Sequence, residues 1–78
     1  LEEKLLIEKY IKENIAKISK LKPVLGGNWY VVSVYVLPKS NNGEVIYEDG
    51  HISTKATFEY EYTQNPESVK IINFKNIK

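Results

Sequence analysis

The spacing of apolar residues changes once along the chain, and this change constrains the fold more than any other sequence feature. Up to about residue 22 the apolar residues recur at intervals of three and four, which is typical of a helix with one buried stripe. From residue 28 onward the period is two, which is typical of strands. Pro23, Gly26 and Gly27 lie between the two patterns, where proline ends a helix and glycine lets the chain reverse. We therefore predict a helix over about residues 2–21, followed only by strands.

Four strands are predicted over about residues 28–37, 44–48, 51–63 and 68–75. The first ends at Pro38, and Asp49-Gly50 is the dipeptide of a tight type I′ hairpin. The third is long, so we expect it to bend or to carry a bulge near its middle. Short turns favour an antiparallel meander. The predicted class is therefore α+β, a single domain in which the N-terminal helix packs on a curved four-stranded sheet.

The first strand is apolar on both faces, so one helix cannot cover it completely. Strict alternation places Tyr30, Val32, Val34 and Val36 on one face and Trp29, Val31, Ser33, Tyr35 and Leu37 on the other. If the helix covers the first set, the second faces outward, and its aromatic residues favour an interface with a protein partner or a second copy. Curling of the sheet, or the chain ends, could instead cover this face within the monomer. The opposite face assignment is equally consistent with the pattern.

The sequence offers little for catalysis. Its 78 residues contain no cysteine, which excludes disulfides, thiolate nucleophiles and cysteine-ligated zinc. The lone His51 lies two residues from Ser53, but no third group orients it, and Glu48 and Asp49 beside it are interpreted as turn residues. We therefore predict no catalytic residue, no metal and no cofactor.

A small-ligand or enzymatic module remains the alternative. In that interpretation the helix and the sheet enclose a cleft lined by Tyr30, Tyr60 and Tyr62, whose hydroxyl groups enter an otherwise apolar space. In the simpler interpretation their rings fill the core and their hydroxyl groups reach its rim.

The charge pattern argues against nucleic acid and against a membrane surface as partners. The sequence has eleven lysines and ten acidic residues, which give a net charge of +1, and it has no arginine. No apolar run reaches the roughly 18 residues that span a bilayer. The chain begins at Leu1 and contains no methionine, so we interpret it as a processed fragment whose targeting segment has been removed. Membrane contact is expected only through an anchor outside this fragment.

The element order resembles that of a known fold. A long helix, a glycine-containing link, a strand that opens Asn-Trp-Tyr-Val-Val at residues 28–32 and a hairpin over residues 45–51 resemble the cystatin-like fold. They resemble in particular the small cystatin-like domains of unknown function in surface lipoproteins of Gram-positive bacteria. The resemblance implies an extracellular or cell-surface location, a lipid anchor and a non-catalytic role in protein binding or structure. The Gln-x-Val-x-Gly loop and Pro-Trp hairpin with which true cystatins inhibit proteases are both absent.

Overall fold

One helix packs on one antiparallel sheet in the computed structural model, which describes residues 2–23 and 27–77. The elements are α1 (Glu3–Ile18), β1 (Tyr30–Leu37), β2 (Asn42–Glu48), β3 (Ser53–Gln64) and β4 (Glu67–Ile77). The strands pair in chain order, and each neighbour is antiparallel, so β1 and β4 are the two edges of an open sheet. The predicted α+β class and meander are confirmed. The predicted chain reversal at Gly26 lies outside the described residues.

Helix α1 buries one narrow stripe. Ile7, Ile11 and Ile15 recur every four residues and are almost completely buried, as their helical spacing predicts. The backbone of α1 approaches the two edge strands more closely than the two central strands, so the sheet curls around the helix. Within the described chain, α1 is too short and too polar to cross a bilayer.

The helix ends earlier than the sequence pattern predicts. It was expected to continue to about residue 21, but Ser19 is already extended, with ψ at 137°. The Ser19 hydroxyl lies 2.7 Å from the Tyr47 hydroxyl, and the Trp29 indole N–H donates to the carbonyl of Leu21 at 2.9 Å. These contacts hold the chain after Ser19 against the sheet, so the helix stops before Pro23 acts on it.

Strand β1 contains a bulge that the predicted alternation did not include. Val31 pairs with Tyr47 and Ser33 pairs with Ile46, so Val32 is an extra residue without an opposing partner. An extra residue reverses which side chains face the core, so the predicted faces are correct for residues 33–37 and inverted for residues 29–32. The residues of this segment that pack in or against the core are Trp29, Val31, Val34 and Val36.

A second bulge lies on β4. Thr57 pairs with Lys75 and Glu59 pairs with Ile72, so one residue of β3, Phe58, opposes two of β4. The extra residue is accommodated by Asn73, whose φ of 51° is left-handed. A bend or a bulge was expected near the middle of β3, and the irregular pairing does lie there, between Thr57 and Glu59, but the extra residue belongs to β4. The bulge of this strand pair therefore lies on β4, at Asn73, and not on β3.

Strand β2 begins two residues before its predicted start, so Gly43 lies within the strand and not in the turn. A Cβ at this position would lie 2.5 Å from the Tyr35 carbonyl oxygen and 2.7 Å from Cζ of Phe58. Only glycine permits the Tyr35 backbone and the Phe58 ring to approach β2 this closely.

All five elements contribute to one core. Its largest side chains are aromatic, and Tyr47, Phe58 and Tyr60 are almost completely buried. The Trp29 ring meets the Tyr47 ring edge-on, with centroids 4.8 Å apart. The remaining buried apolar residues are Ile7, Ile11, Ile15, Val36, Val45, Ala56 and Phe74.

Candidate functional site

Strand β1 exposes an unusual amount of apolar side chain. Four of its eight residues are large, apolar and exposed: Tyr30 (48%), Val32 (54%), Tyr35 (56%) and Leu37 (41%). We call these four residues the β1 surface. The other exposed large apolar residues of the described chain are scattered over the helix, two loops and the end of β4. The β1 surface is therefore the best candidate for contact with another protein.

The residues predicted to bind a partner lie on both sides of the Val32 bulge, and the bulge separates them into two pairs with different exposure. Tyr35 and Leu37 face outward, as the interface hypothesis requires. Trp29 is only 6% exposed and Val31 is half-buried against the core, so neither offers a side chain to a partner. Assigning these two to an outer face was wrong, because the bulge turns the start of β1 toward the helix.

The free side of β1 offers backbone groups that the described residues leave unpaired. β1 pairs with β2 alone, and beyond the turn bond from Ser40 N to the Leu37 carbonyl no other described residue bonds to its backbone. Residues 28–37 include no charged residue and no proline, and the first charge after them is Lys39. Edge strands are commonly protected from pairing by lysine or proline, and β1 has neither.

Tyr35 is the centre of the β1 surface and has charged neighbours. The Lys4 ammonium group lies 5.4 Å from the centroid of the Tyr35 ring, within cation–π range. On its other side, Tyr35 and Leu37 border an open hollow of about 480 Å³ that Glu44 and Lys75 also line. The aromatic ring is therefore rimmed by charge, the usual arrangement around the anchor residue of an interface.

The three tyrosines of the alternative cleft do not line one space. Tyr30 points outward, and its hydrogen bond to the Glu48 carboxylate, at 2.6 Å, raises the pKa of Tyr30. Tyr60 is buried, and it donates to Glu3 at 2.6 Å. Burial first, and then this hydrogen bond, raise the pKa of Tyr60 above its ordinary value of 10.0. Tyr62 packs half-buried against the core. Tyr30 thus lies on the opposite face from Tyr60, and these residues form no common pocket.

The polar residues at the β2–β3 hairpin form a turn. The Asp49 carboxylate accepts the backbone N–H groups of His51 at 2.8 Å and Ile52 at 2.9 Å. The left-handed φ of 94° falls on Gly50, and the Asp49 N–H bonds the Ile52 carbonyl, so Gly50 and His51 are the central residues. The predicted Asp49-Gly50 centre was one residue early, because Asp49 uses its side chain to close the turn. No group of three His, Cys, Asp or Glu residues able to hold a metal ion occurs in the described part of the chain.

The sequence did not predict one partly buried polar network. The Tyr47 hydroxyl contacts the Ser19 hydroxyl and accepts from the Asn76 side-chain amide at 2.8 Å. The same amide lies 3.2 Å from the Thr54 hydroxyl. The network joins the end of α1 to three strands, and its members are too far apart in sequence for any local pattern to relate them.

The chain matches no protein-family model, no curated protein and no solved structure. The cystatin-like resemblance therefore stays a prediction.

Proposed function

We propose that this chain is a non-catalytic interaction module that assembles with a second copy of itself through the edge strand β1. The observation that carries the proposal is the β1 surface, which lies on an edge strand without charge. An unpaired strand with exposed apolar side chains can extend its sheet by adding a strand from another chain.

A second copy suits this strand for two reasons. Two antiparallel β1 strands related by a two-fold axis bring no like charges of the strands themselves together, because residues 28–37 carry none. Each copy also offers the same apolar side chains, so Tyr35 and Leu37 of both chains would be removed from water together. A chain of 78 residues has only a small core, and dimer contacts would add to its stability.

The non-catalytic part of the proposal and the cellular location come from the sequence. No nucleophile, base and orienting group occur at a useful spacing, and the lone His51 lies exposed in a turn. The resemblance to domains of surface lipoproteins supports an exported, lipid-anchored bacterial protein. Intact-mass measurement and N-terminal sequencing of the native protein test this location, because a lipid-modified cysteine upstream would support it and a longer cytoplasmic chain would contradict it.

Sedimentation velocity over a wide concentration range tests the assembly. We expect a reversible dimer for the native chain and a monomer for the double variant Val32→Lys, Tyr35→Lys. The matched control is Ser53→Lys, Thr63→Lys, which adds the same charge at exposed positions of the central strand β3 and should leave the dimer intact. A native chain that stays monomeric throughout, or equal loss of the dimer in both variants, would overturn the proposal.

A further inference from the structure

The first turn of α1 places one lysine beside the edge strand β1. Lys4 lies three residues before the buried Ile7, so helical spacing puts it on the side of α1 that faces the sheet. Lys4 is exposed, and its ammonium group lies 5.4 Å from the centroid of the Tyr35 ring. The helix therefore supplies a positive charge to a strand whose own residues, 28–37, carry none.

The contact between Lys4 and Tyr35 passes around the free edge of the sheet. Tyr35 and its cross-strand neighbour Glu44 are exposed and border the outer hollow. The helix packs on the opposite face, where Val36 is buried in the core. A side chain cannot pass between paired strands, and β1 pairs with β2 alone, so Lys4 reaches Tyr35 past the unpaired side of β1. Its side chain therefore lies where an added strand would pair.

Neither the helix dipole nor an ion pair explains a lysine at this position. The N-terminus of a helix is the positive end of its dipole, so the first turn favours Glu3 and disfavours Lys4. Within the described chain no carboxylate lies at ion-pair distance from Lys4, since the ion pair found there joins Lys55 to Glu44. The role of Lys4 therefore lies at the edge of β1, where its ammonium group contacts the Tyr35 ring.

The regular part of β1 limits where two copies can pair. The bulge at Val32 interrupts the strand on one side and Pro38 ends it on the other, so residues 33–37 form the regular stretch. In an antiparallel pair related by a two-fold axis, this whole stretch pairs only when Tyr35 lies on the axis. Tyr35 then lies directly opposite the Tyr35 of the second copy, with the two Cβ atoms about 4.5–5.5 Å apart.

This register brings the two Lys4 side chains close together. Each ammonium group lies 5.4 Å from a ring centroid and the two rings are neighbours, so the charges fall within roughly 20 Å of each other. The screening length is about 30 Å at 0.01 M salt and about 3 Å at 1 M, so the two charges repel each other only at low salt. Pairing must also move each Lys4 away from the unpaired side of β1, which removes its cation–π contact. Both effects oppose the dimer.

We propose that Lys4 opposes the self-pairing of β1, so that the dimer is weak at low salt and becomes tighter when the charge of Lys4 is screened or removed. Lysine within an edge strand commonly opposes strand pairing, and here the helix supplies that lysine from outside the strand. This inference rests on the β1 dimer proposed above and adds its regulation by ionic strength.

Sedimentation velocity of the full chain at about 10 mM and about 1 M sodium chloride tests the inference. The dissociation constant of the native dimer should fall roughly tenfold from the lower to the higher salt concentration. Lys4→Gln should lower the dissociation constant roughly fivefold to tenfold at low salt, because the repulsion and the cation–π contact are removed from both copies. The dimer of this variant should then respond little to added salt.

Two control variants separate the charge of Lys4 from its position. Lys4→Arg keeps the positive charge and the cation–π contact, so its dimer should behave like the native dimer. Lys9→Gln removes the same charge from an exposed position on the side of α1 away from the sheet, so its dimer should keep the native dependence on salt. Circular dichroism should show native helix content for Lys4→Gln, because the first turn of a helix disfavours a cation.

Three results would overturn the role of Lys4 while the β1 dimer stands. They are a dimer that Lys4→Gln weakens, one that it leaves unchanged at low salt, and one that Lys9→Gln tightens as much. Failure of the β1 dimer gives a different result, because the native chain and Lys4→Gln then both stay monomeric at either salt concentration. That outcome overturns the dimer and this inference together.

Discussion

The two edge strands of this sheet, β1 and β4, occupy equivalent positions, but their exposed side chains differ in character. Both pair on one side only, both lie near α1 and both carry a bulge. β1 exposes apolar side chains and lacks charge over residues 28–37, whereas β4 exposes Lys70 and Lys75. Lysine on an edge opposes unselective strand pairing. The difference indicates that β4 is protected by its own residues against unselective strand pairing, while β1 is not.

The bulges of the two edges also differ in their chemistry. At β4 the extra residue is accommodated by Asn73 in a left-handed conformation, which asparagine adopts more easily than most residues. At β1 the extra residue is Val32, and no described residue of that strand has a positive φ. The β4 bulge therefore depends on a residue that tolerates a left-handed conformation. The β1 bulge instead results from packing, because residues before and after Val32 both pack in or against the core.

The largest effect is expected where the β1 bulge turns Trp29 into the core. Trp29→Ala removes a buried ring and its hydrogen bond to Leu21, so it should lower the free energy of unfolding by about 3–5 kcal/mol. Tyr35→Ala, on the outer side of β1, should cost less than about 1 kcal/mol. Urea denaturation followed by circular dichroism measures both. Equal losses would show that the two residues do not lie on opposite faces.

The next largest loss of stability is expected at Gly43, where β1 and β2 lie close together. Gly43→Ala places a methyl group against the Tyr35 carbonyl and the Phe58 ring, so it should destabilise the chain by about 1–3 kcal/mol. Ser33→Ala, at an exposed position of β1, is the control and should stay within about 0.5 kcal/mol of the native chain. Thermal unfolding compares the two, and a neutral Gly43→Ala would show that the strands can separate at no cost.

A smaller effect is expected at the β4 bulge. Asn73→Val forces a β-branched residue into the left-handed region and should cost about 1–2 kcal/mol. Asn73→Gly should cost less, because glycine adopts this conformation freely and only the side-chain bond to Glu59 is lost. If both variants lose the same stability, the side-chain bond and not the backbone conformation determines the bulge.

The smallest expected effect is on the pH dependence of stability, which should differ between the buried Tyr60 and the exposed Tyr30. The folded chain holds the proton of Tyr60 more tightly than the unfolded chain, because burial and Glu3 raise the pKa of Tyr60. Its contribution is fully present below the ordinary pKa of 10.0, and the free energy of unfolding should fall as the pH rises above that value.

Tyr60→Phe should reduce this alkaline slope and cost about 0.5–1.5 kcal/mol at neutral pH through the lost hydrogen bond. Tyr30→Phe is the control at an exposed position, where solvent screens the charge, and it should change the slope less. Urea denaturation at a series of alkaline pH values measures both slopes. The assignment fails if the two variants behave alike.

The sequence pattern predicted the elements well because their signals are local. Ile7, Ile11 and Ile15 show their helical period directly, and the alternation of β3 is visible without knowledge of its partner. Turn residues separated the strands correctly into a meander. The outer positions of Tyr35 and Leu37 were predicted for the wrong reason, since strict alternation had placed Trp29 on the same face.

The remaining features depended on contacts between residues distant in sequence. The end of α1 depends on Tyr47 and Trp29, and the need for Gly43 arises from Tyr35 and Phe58. Ile18 and Ile71 likewise line one hollow only because β4 returns beside the helix. A sequence pattern within one segment cannot show which residues from distant segments come into contact.

By itself, the sequence determined the fold class, the order of the elements and the absence of charge on β1, because periodicity and composition belong to single segments. Tertiary structure decided which side of β1 faces the helix, since a bulge at Val32 is defined only by the register of the neighbouring strand. A bulge of one residue changes no composition and almost no local propensity, yet it exchanges core and surface for every residue on one side of it.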